Sequence, residues 1–173
     1  MVHVELCSRL AMELGGAVTW SYRPDELVAP VGVGLEPLLQ ASHQVVAFLG
    51  VGEALSIPLL HGTWKACRHP LTRAVLKRIV QDEAEHGTFG WSYLDWALPH
   101  LTAEDREALA QTAANAIEGV KQNWAEIRAR PRADESSAHD LGWMQTDAYL
   151  ALAAASLQTH VLEPLRARGV YVA

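Results

Sequence analysis

Leu38-Leu39-Gln40-Ala41-Ser42-His43-Gln44-Val45-Val46-Ala47-Phe48-Leu49-Gly50-Val51-Gly52-Glu53-Ala54-Leu55-Ser56-Ile57-Pro58-Leu59-Leu60 decides the fold. Its apolar residues fall on nearly every side of a 3.6-residue period, so little polar face is left and the helix belongs at the centre of the molecule. Pro37 suits the first helical turn, and the helix is expected to run to about His61-Gly62. Pro58 removes a backbone donor inside it, which predicts a kink near Ala54.

The rest of the chain reads as helix as well. A short helix covers residues 2–14 and stops at Gly15-Gly16. Residues 17–37 carry Pro24, Pro30, Gly32, Gly34 and Pro37, too many breakers for a helix, and read as a loop with one turn near Pro24-Asp25-Glu26. A third helix opens at His69-Pro70 and runs to Ala97 ahead of Pro99. The fourth starts at Thr102, which forms an acidic capping-box variant with Asp105, and ends near Arg130; residues 132–140 are a loop. The last spans about residues 142–168, with Gly169 as its stop. Strand signals are almost absent, so the fold class is all-α, a helical bundle in a single domain over residues 1–173, its core in 37–99 and its C-terminal helices in 102–168.

At 173 residues, 50% apolar and 20% charged, the chain can bury a substantial core. Fourteen Lys+Arg against 20 Asp+Glu give a net charge of -6 and no cationic stripe, so no nucleic-acid partner is expected. Apolar stretches such as residues 45–52 and 148–157 fall short of the ~18–20 residues of a membrane span, and no membrane association is expected. Cys7 and Cys67 are too few for a disulfide framework, and no signal peptide is visible, which makes the cytoplasm the expected compartment.

The chemistry concentrates in Val80-Gln81-Asp82-Glu83-Ala84-Glu85-His86. Glu83 and His86 lie one helical turn apart on a face that continues through Ile79 and Leu76 below and Phe89, Gly90 and Tyr93 above, so both polar groups are expected to point into the core. Buried alone, each would cost several kcal/mol, about the penalty of an unpaired buried polar or charged group. A shared metal ion removes that cost, and so does a satisfied hydrogen-bonded pair. Glu53 is the one ionisable side chain between His43 and His61, with Gly50 and Gly52 beside it to admit a neighbouring helix. It reads either as a buried carboxylate facing something positive or as a surface residue at a bundle edge.

Glu53 in Gly52-Glu53-Ala54-Leu55, followed thirty residues later by Asp82-Glu83-Ala84-Glu85-His86, resembles one half of the ferritin-like superfamily of carboxylate-bridged di-metal bundles. The nearest likeness is to uncharacterised bacterial ferritin-like domain proteins, and it covers about residues 38–98. The resemblance implies an antiparallel ferritin-like bundle with added C-terminal helices. Glu83 is then a bridging or terminal carboxylate, His86 the nitrogen ligand and Glu53 the carboxylate of the partner helix. It also implies iron, two ions if the site is complete, with manganese or zinc acceptable to the same ligands, and an O2-dependent di-iron oxidoreductase of unread substrate. His3-Val4-Glu5-Leu6-Cys7 resembles the stretch that begins with the histidine of the family's first motif, which makes His3 a further candidate ligand and implies an N-terminally truncated form.

No second Glu and Glu-x-x-His pair follows in the chain, so the site is expected to be completed by another chain or by residues missing here; a core short of helices would also expose an apolar face, so a homodimer or larger assembly is expected. An alternative uses Glu118 and Asp147 from the later helices, although Leu150 stands where a histidine would follow Asp147. A different class of reading is a metal-free scaffold or interaction module that keeps the Glu/His cluster as a hydrogen-bonded core. Tyr93 and Trp91 are candidates to line a substrate pocket. His61, His69, His100, His139 and His160 fall near expected helix ends or loops and are read as capping or solvent-facing residues.

Overall fold

A computed structural model describes residues 2–16, 23, 33–129 and 136–172, with the backbone alone for residues 136 and 137. Among these residues the chain is helical, without strands. The expected turn at Pro24-Asp25-Glu26 and most of the preceding loop lie outside the described residues.

We number the helices α1 (Val2–Glu13), α2 (Pro37–Ala66), α3 (Pro70–Ala97), α4 (Ala103–Ala129), α5 (Ser136–Asp140) and α6 (residues 146–167). The ends follow the local chemistry. Glu36 caps α2 by accepting from the Leu38 N–H at 3.0 Å. Pro70 occupies the first turn of α3, whose cap is His69. The Thr102–Asp105 capping box forms in both directions, at 2.9 Å from the Thr102 N–H and 3.1 Å from the Asp105 N–H. Arg73 closes the other end of α2, donating to the carbonyls of Trp64 and Cys67 at 2.9 Å each.

Three boundaries differ from expectation. Helix α2 runs on to Ala66, past the expected end near His61-Gly62. Residues 136–140 form the short helix α5 instead of loop, and the Asp140 carbonyl accepts from the N–H groups of Arg68 and His69. The last helix starts at Thr146 because Gly142 takes φ +99°, a left-handed turn that no helix continues through. Upstream of Pro58, a π-helical segment covers Val45–Glu53 and gives way to α-helix at Ala54, where the kink was expected. A second π segment, Leu157–Leu162, precedes Pro164 in the same way.

Helix α2 is the hub: α3, α4 and α6 all pack against it, while α1 lies on α3. Its own Val46 and Val51 join Leu94, Leu109, Ala113, Val161 and Leu165 in one buried core. By length and composition α2 is also long and apolar enough to cross a membrane. The sequence expectation that apolar stretches fall short of a span is corrected here: Gly50, Gly52, Glu53 and Ser56 interrupt the apolar run but not the helix, which continues over 30 residues.

The α2–α3 contact sets the site. A Cβ on Gly90 would sit 2.6 Å from Leu49 Cβ, and one on Gly87 would sit 2.9 Å from Ile57 Cδ1. Gly50 faces the Trp91 ring, but Gly52 is exposed and meets only its own helix, so the close approach comes from α3 and not from Gly52. Gly90→Ala is therefore expected to destabilise by about 1–3 kcal/mol, since the Leu49 backbone cannot give way. Gly119→Ala, with open space around it in the middle of α4, is expected to stabilise by roughly 0.5–1 kcal/mol. Urea melts of the pair check both signs.

Candidate metal centre

Glu53 is the last residue of the α2 π segment, and Glu83 and His86 stand one turn apart on α3 directly across from it. One donor atom from each of the three lies within 4.8 Å of the other two. Glu83 is buried, with 10% of its side chain exposed, whereas the His86 side chain is 55% exposed. The expectation that both residues of the motif point into the core holds for Glu83 and fails for His86. The buried stripe of α3 runs through Ile79, Glu83, Gly90 and Leu94, which leaves His86 and Phe89 on its open edge.

The two Glu83 oxygens face two histidines. Glu83 Oε2 is 2.7 Å from His86 Nδ1, and Glu83 Oε1 is 3.0 Å from His3 Nδ1. His3 Nε2 reaches Asp82 Oδ2 at 3.2 Å, and Arg78 holds the same oxygen at 2.9 Å. Thus α1 delivers His3 to the site, but beside Glu83 and Asp82 and outside the three-residue donor group. His86 Nε2 makes no hydrogen bond among the described residues.

Glu53 faces a second carboxylate as well as an imidazole. Its carboxyl is raised above the ordinary range, first by burial and then by the like charge of Glu83; His86 and a 3.4 Å hydrogen bond from Ser56 pull the other way. Asp82, by contrast, is lowered, chiefly by the Arg78 hydrogen bond and then by His3. Two carboxylates pressed together with one imidazole at their edge form a donor set of O, O and N that suits a divalent cation, which would relieve the repulsion between them.

The alternative ligands do not join. Glu118 is exposed on α4 and accepts from Gln122, and Asp147 is exposed in the first turn of α6; neither belongs to a donor cluster among the described residues. Sequence spacing could not reveal this, because it does not fix which face of α4 meets α2. Arg78 and Asp82 were missed, although their four-residue spacing on a helix announces the pair. His61 and His160 were misplaced. Both sit inside helices, where together with Trp91 they line a cleft. Tyr93 instead turns inward and donates to the Leu38 carbonyl.

His43 is buried near the other end of α2, with Nδ1 2.7 Å from Thr112 Oγ1. Burial lowers its pKa below 6.5, and Asp105 opposes that shift. The unfolded chain therefore takes up the proton first as pH falls. The stability contributed by neutral His43 is full above 6.5 and drains away through the interval between 6.5 and the lower folded value. We expect His43→Gln to flatten that part of a stability profile measured between pH 8 and roughly pH 5, the window around imidazole titration; an unchanged slope would remove His43 as the cause.

No family model matches the chain, and neither a curated protein nor a solved structure is significantly similar to it.

Proposed function

We propose that this protein is a ferritin-like metal protein in which Glu53, Glu83 and His86 hold a divalent ion and a second copy of the chain completes the ligand set. The observation that carries the reading is the convergence of three ligand atoms from two helices within 4.8 Å, centred on a carboxylate that is buried. Three protein ligands leave positions open, as catalytic metal sites do and closed structural sites do not. Iron fits the donor set, two ions if the site is doubled, and manganese or zinc would be accepted by the same atoms. Bound iron would supply O2-dependent oxidation of a substrate or of iron itself. The chain's own residues then bind and orient. Glu53 and Glu83 supply charge, His86 supplies nitrogen, and His3 with Asp82 and Arg78 steadies the buried edge.

Elemental analysis of protein purified without added metal or chelator, repeated after anaerobic Fe(II) loading, tests the reading. Near-stoichiometric iron or manganese supports it, and absence from both preparations sinks it. One observation favours a second reading: each Glu83 oxygen already faces a histidine, so this carboxylate has partners without an ion. A metal-free helical scaffold would keep these contacts for stability alone, and the same analysis separates the two.

A further inference from the structure

A cleft of about 490 Å³ lies between α2, α3 and α6. Three residues with nitrogen-bearing side chains line it, His61, Lys65 and His160, and none with a carboxylate does among the described residues. That is a local reversal in a chain with 20 Asp+Glu against 14 Lys+Arg. None of the three has an acidic partner among the described residues.

The direction of α6 decides where these groups stand. It runs antiparallel to α2. Near its start, a Cβ on Gly62 would sit 2.6 Å from Leu152 Cδ2 and 3.2 Å from Met144 Sδ. Just past its end, Arg168 pairs with Asp95 at 2.7 Å and lies 5.0 Å over the Trp91 ring, which in turn faces Gly50. His61 and Lys65, one turn apart on α2, therefore stand together at the Leu152 end of the cleft. His160 stands at the opposite end, with Ala54, Gly87, Trp91 and Pro164. Two lengths agree on the separation. Leu152 to His160 is 8 residues, roughly 12 Å of helix rise, and His61 back to Ala54 is 7 residues, roughly 10 Å. Ile57, Pro58 and Leu152 line the stretch between with apolar surface.

Nitrogen donors at both ends of an apolar trough complement a ligand with an anionic group at each end of an apolar body. We propose that this cleft binds an aliphatic α,ω-dicarboxylate, one carboxylate held by His61 and Lys65 and the other by His160. Lys65 supplies a full charge, and each imidazole supplies an N–H in either protonation state. An extended chain advances about 1.2 Å per bond, a third of the length of an extended residue. The separation of the two ends then calls for about eight to ten bonds between the carboxylate carbons. Decanedioate has that length, and butanedioate cannot reach both ends. The volume falls in the range of small-molecule sites. None of the three residues belongs to the Glu53, Glu83 and His86 cluster, so the cleft stands or falls apart from the metal proposal.

Decanedioate, decanoate and butanedioate titrated calorimetrically into the metal-free full chain test it. One saturable site per chain is expected for decanedioate, with the other two each binding about tenfold more weakly, as expected for loss of a hydrogen bond to a charged group. Lys65→Glu should weaken decanedioate and decanoate alike. His160→Ala should weaken decanedioate about tenfold and leave decanoate within about twofold, because decanoate has a methyl group at that end. Lys65 and His160 are exposed, so their variants should keep the wild-type circular dichroism and melting temperature. Absent saturation or decanoate bound as tightly as decanedioate overturns the proposal without any variant, and so does a His160→Ala chain that weakens both ligands equally. Glu83→Ala should bind decanedioate as the wild type does, and loss of binding there would move the ligand to the Glu83 cluster and remove the cleft. A chain that never takes metal but binds decanedioate keeps the cleft without the centre, whereas metal without decanedioate binding removes the cleft alone.

Discussion

If Glu53, Glu83 and His86 hold a metal as proposed, Glu83→Ala is expected to abolish metal loading and, with it, the rise in thermal stability that loading would give the wild-type chain. Glu83 is the buried member of the cluster and the one group that meets Glu53, His86 and His3 together. Without it a cation keeps one carboxylate and one half-exposed imidazole on separate helices, too little to hold it at micromolar concentration. Metal at a hundred times its Kd stabilises the native state by about 2.7 kcal/mol. For a chain of this size that is roughly 5–10 °C in Tm, which the variant should not show. The metal-free variant behaves differently. It loses the hydrogen bond to His86 and the contact with His3 but also relieves Glu53 of a neighbouring charge, so its Tm should move little. Plasma mass spectrometry and calorimetry with and without Fe(II) measure both effects, and equal metal in variant and wild type would move the site elsewhere.

Much of this arrangement was legible in the sequence, for reasons that can be stated residue by residue. Pro37, Pro70 and the Thr102–Asp105 box mark helix starts by backbone chemistry that acts locally, and all three lie where expected. The apolar run of α2 announced a central helix because no solvent-facing stripe was left on it. The Glu53 and Glu83/His86 pairing was suggested by the resemblance to half of a ferritin-like bundle; the apolar run alone suggested a carboxylate facing something positive, whereas Glu53 meets a second carboxylate as well as an imidazole. What failed was rotational. A helix that is buried on one stripe and open beside it places Glu83 inside and His86 at its edge, and spacing of three residues cannot say which side of the stripe each takes. The positions of His61 and His160 depend on α6 crossing α2, a contact between residues a hundred apart in sequence that no local pattern encodes.

Phe89→Arg is expected to turn a dimer into a monomer and to weaken metal binding in the same step. Phe89 is 61% exposed and Phe48 is 47% exposed, and each stands one residue before the Leu49–Gly90 contact that joins α2 to α3. Large apolar rings on both partners of the helix pair that carries the Glu53, Glu83 and His86 cluster suit a second copy of the same surface. Phe89 is also three residues beyond His86, on the same face of α3, so a copy that covers the ring reaches the open side of the imidazole. Burying one Phe is worth about 1.5–3 kcal/mol. Two-fold symmetry places each ring in the interface twice, so its replacement by a cation should cost about 3–6 kcal/mol, a hundredfold or more in the dimer Kd. Because Arg at an exposed helical position leaves the monomer fold intact, circular dichroism should be unchanged while light scattering at micromolar concentration reports half the mass. If the wild-type chain is already monomeric there and carries its full metal, the second copy is not part of the site, and Glu53, Glu83 and His86 hold the ion with solvent as the remaining ligands.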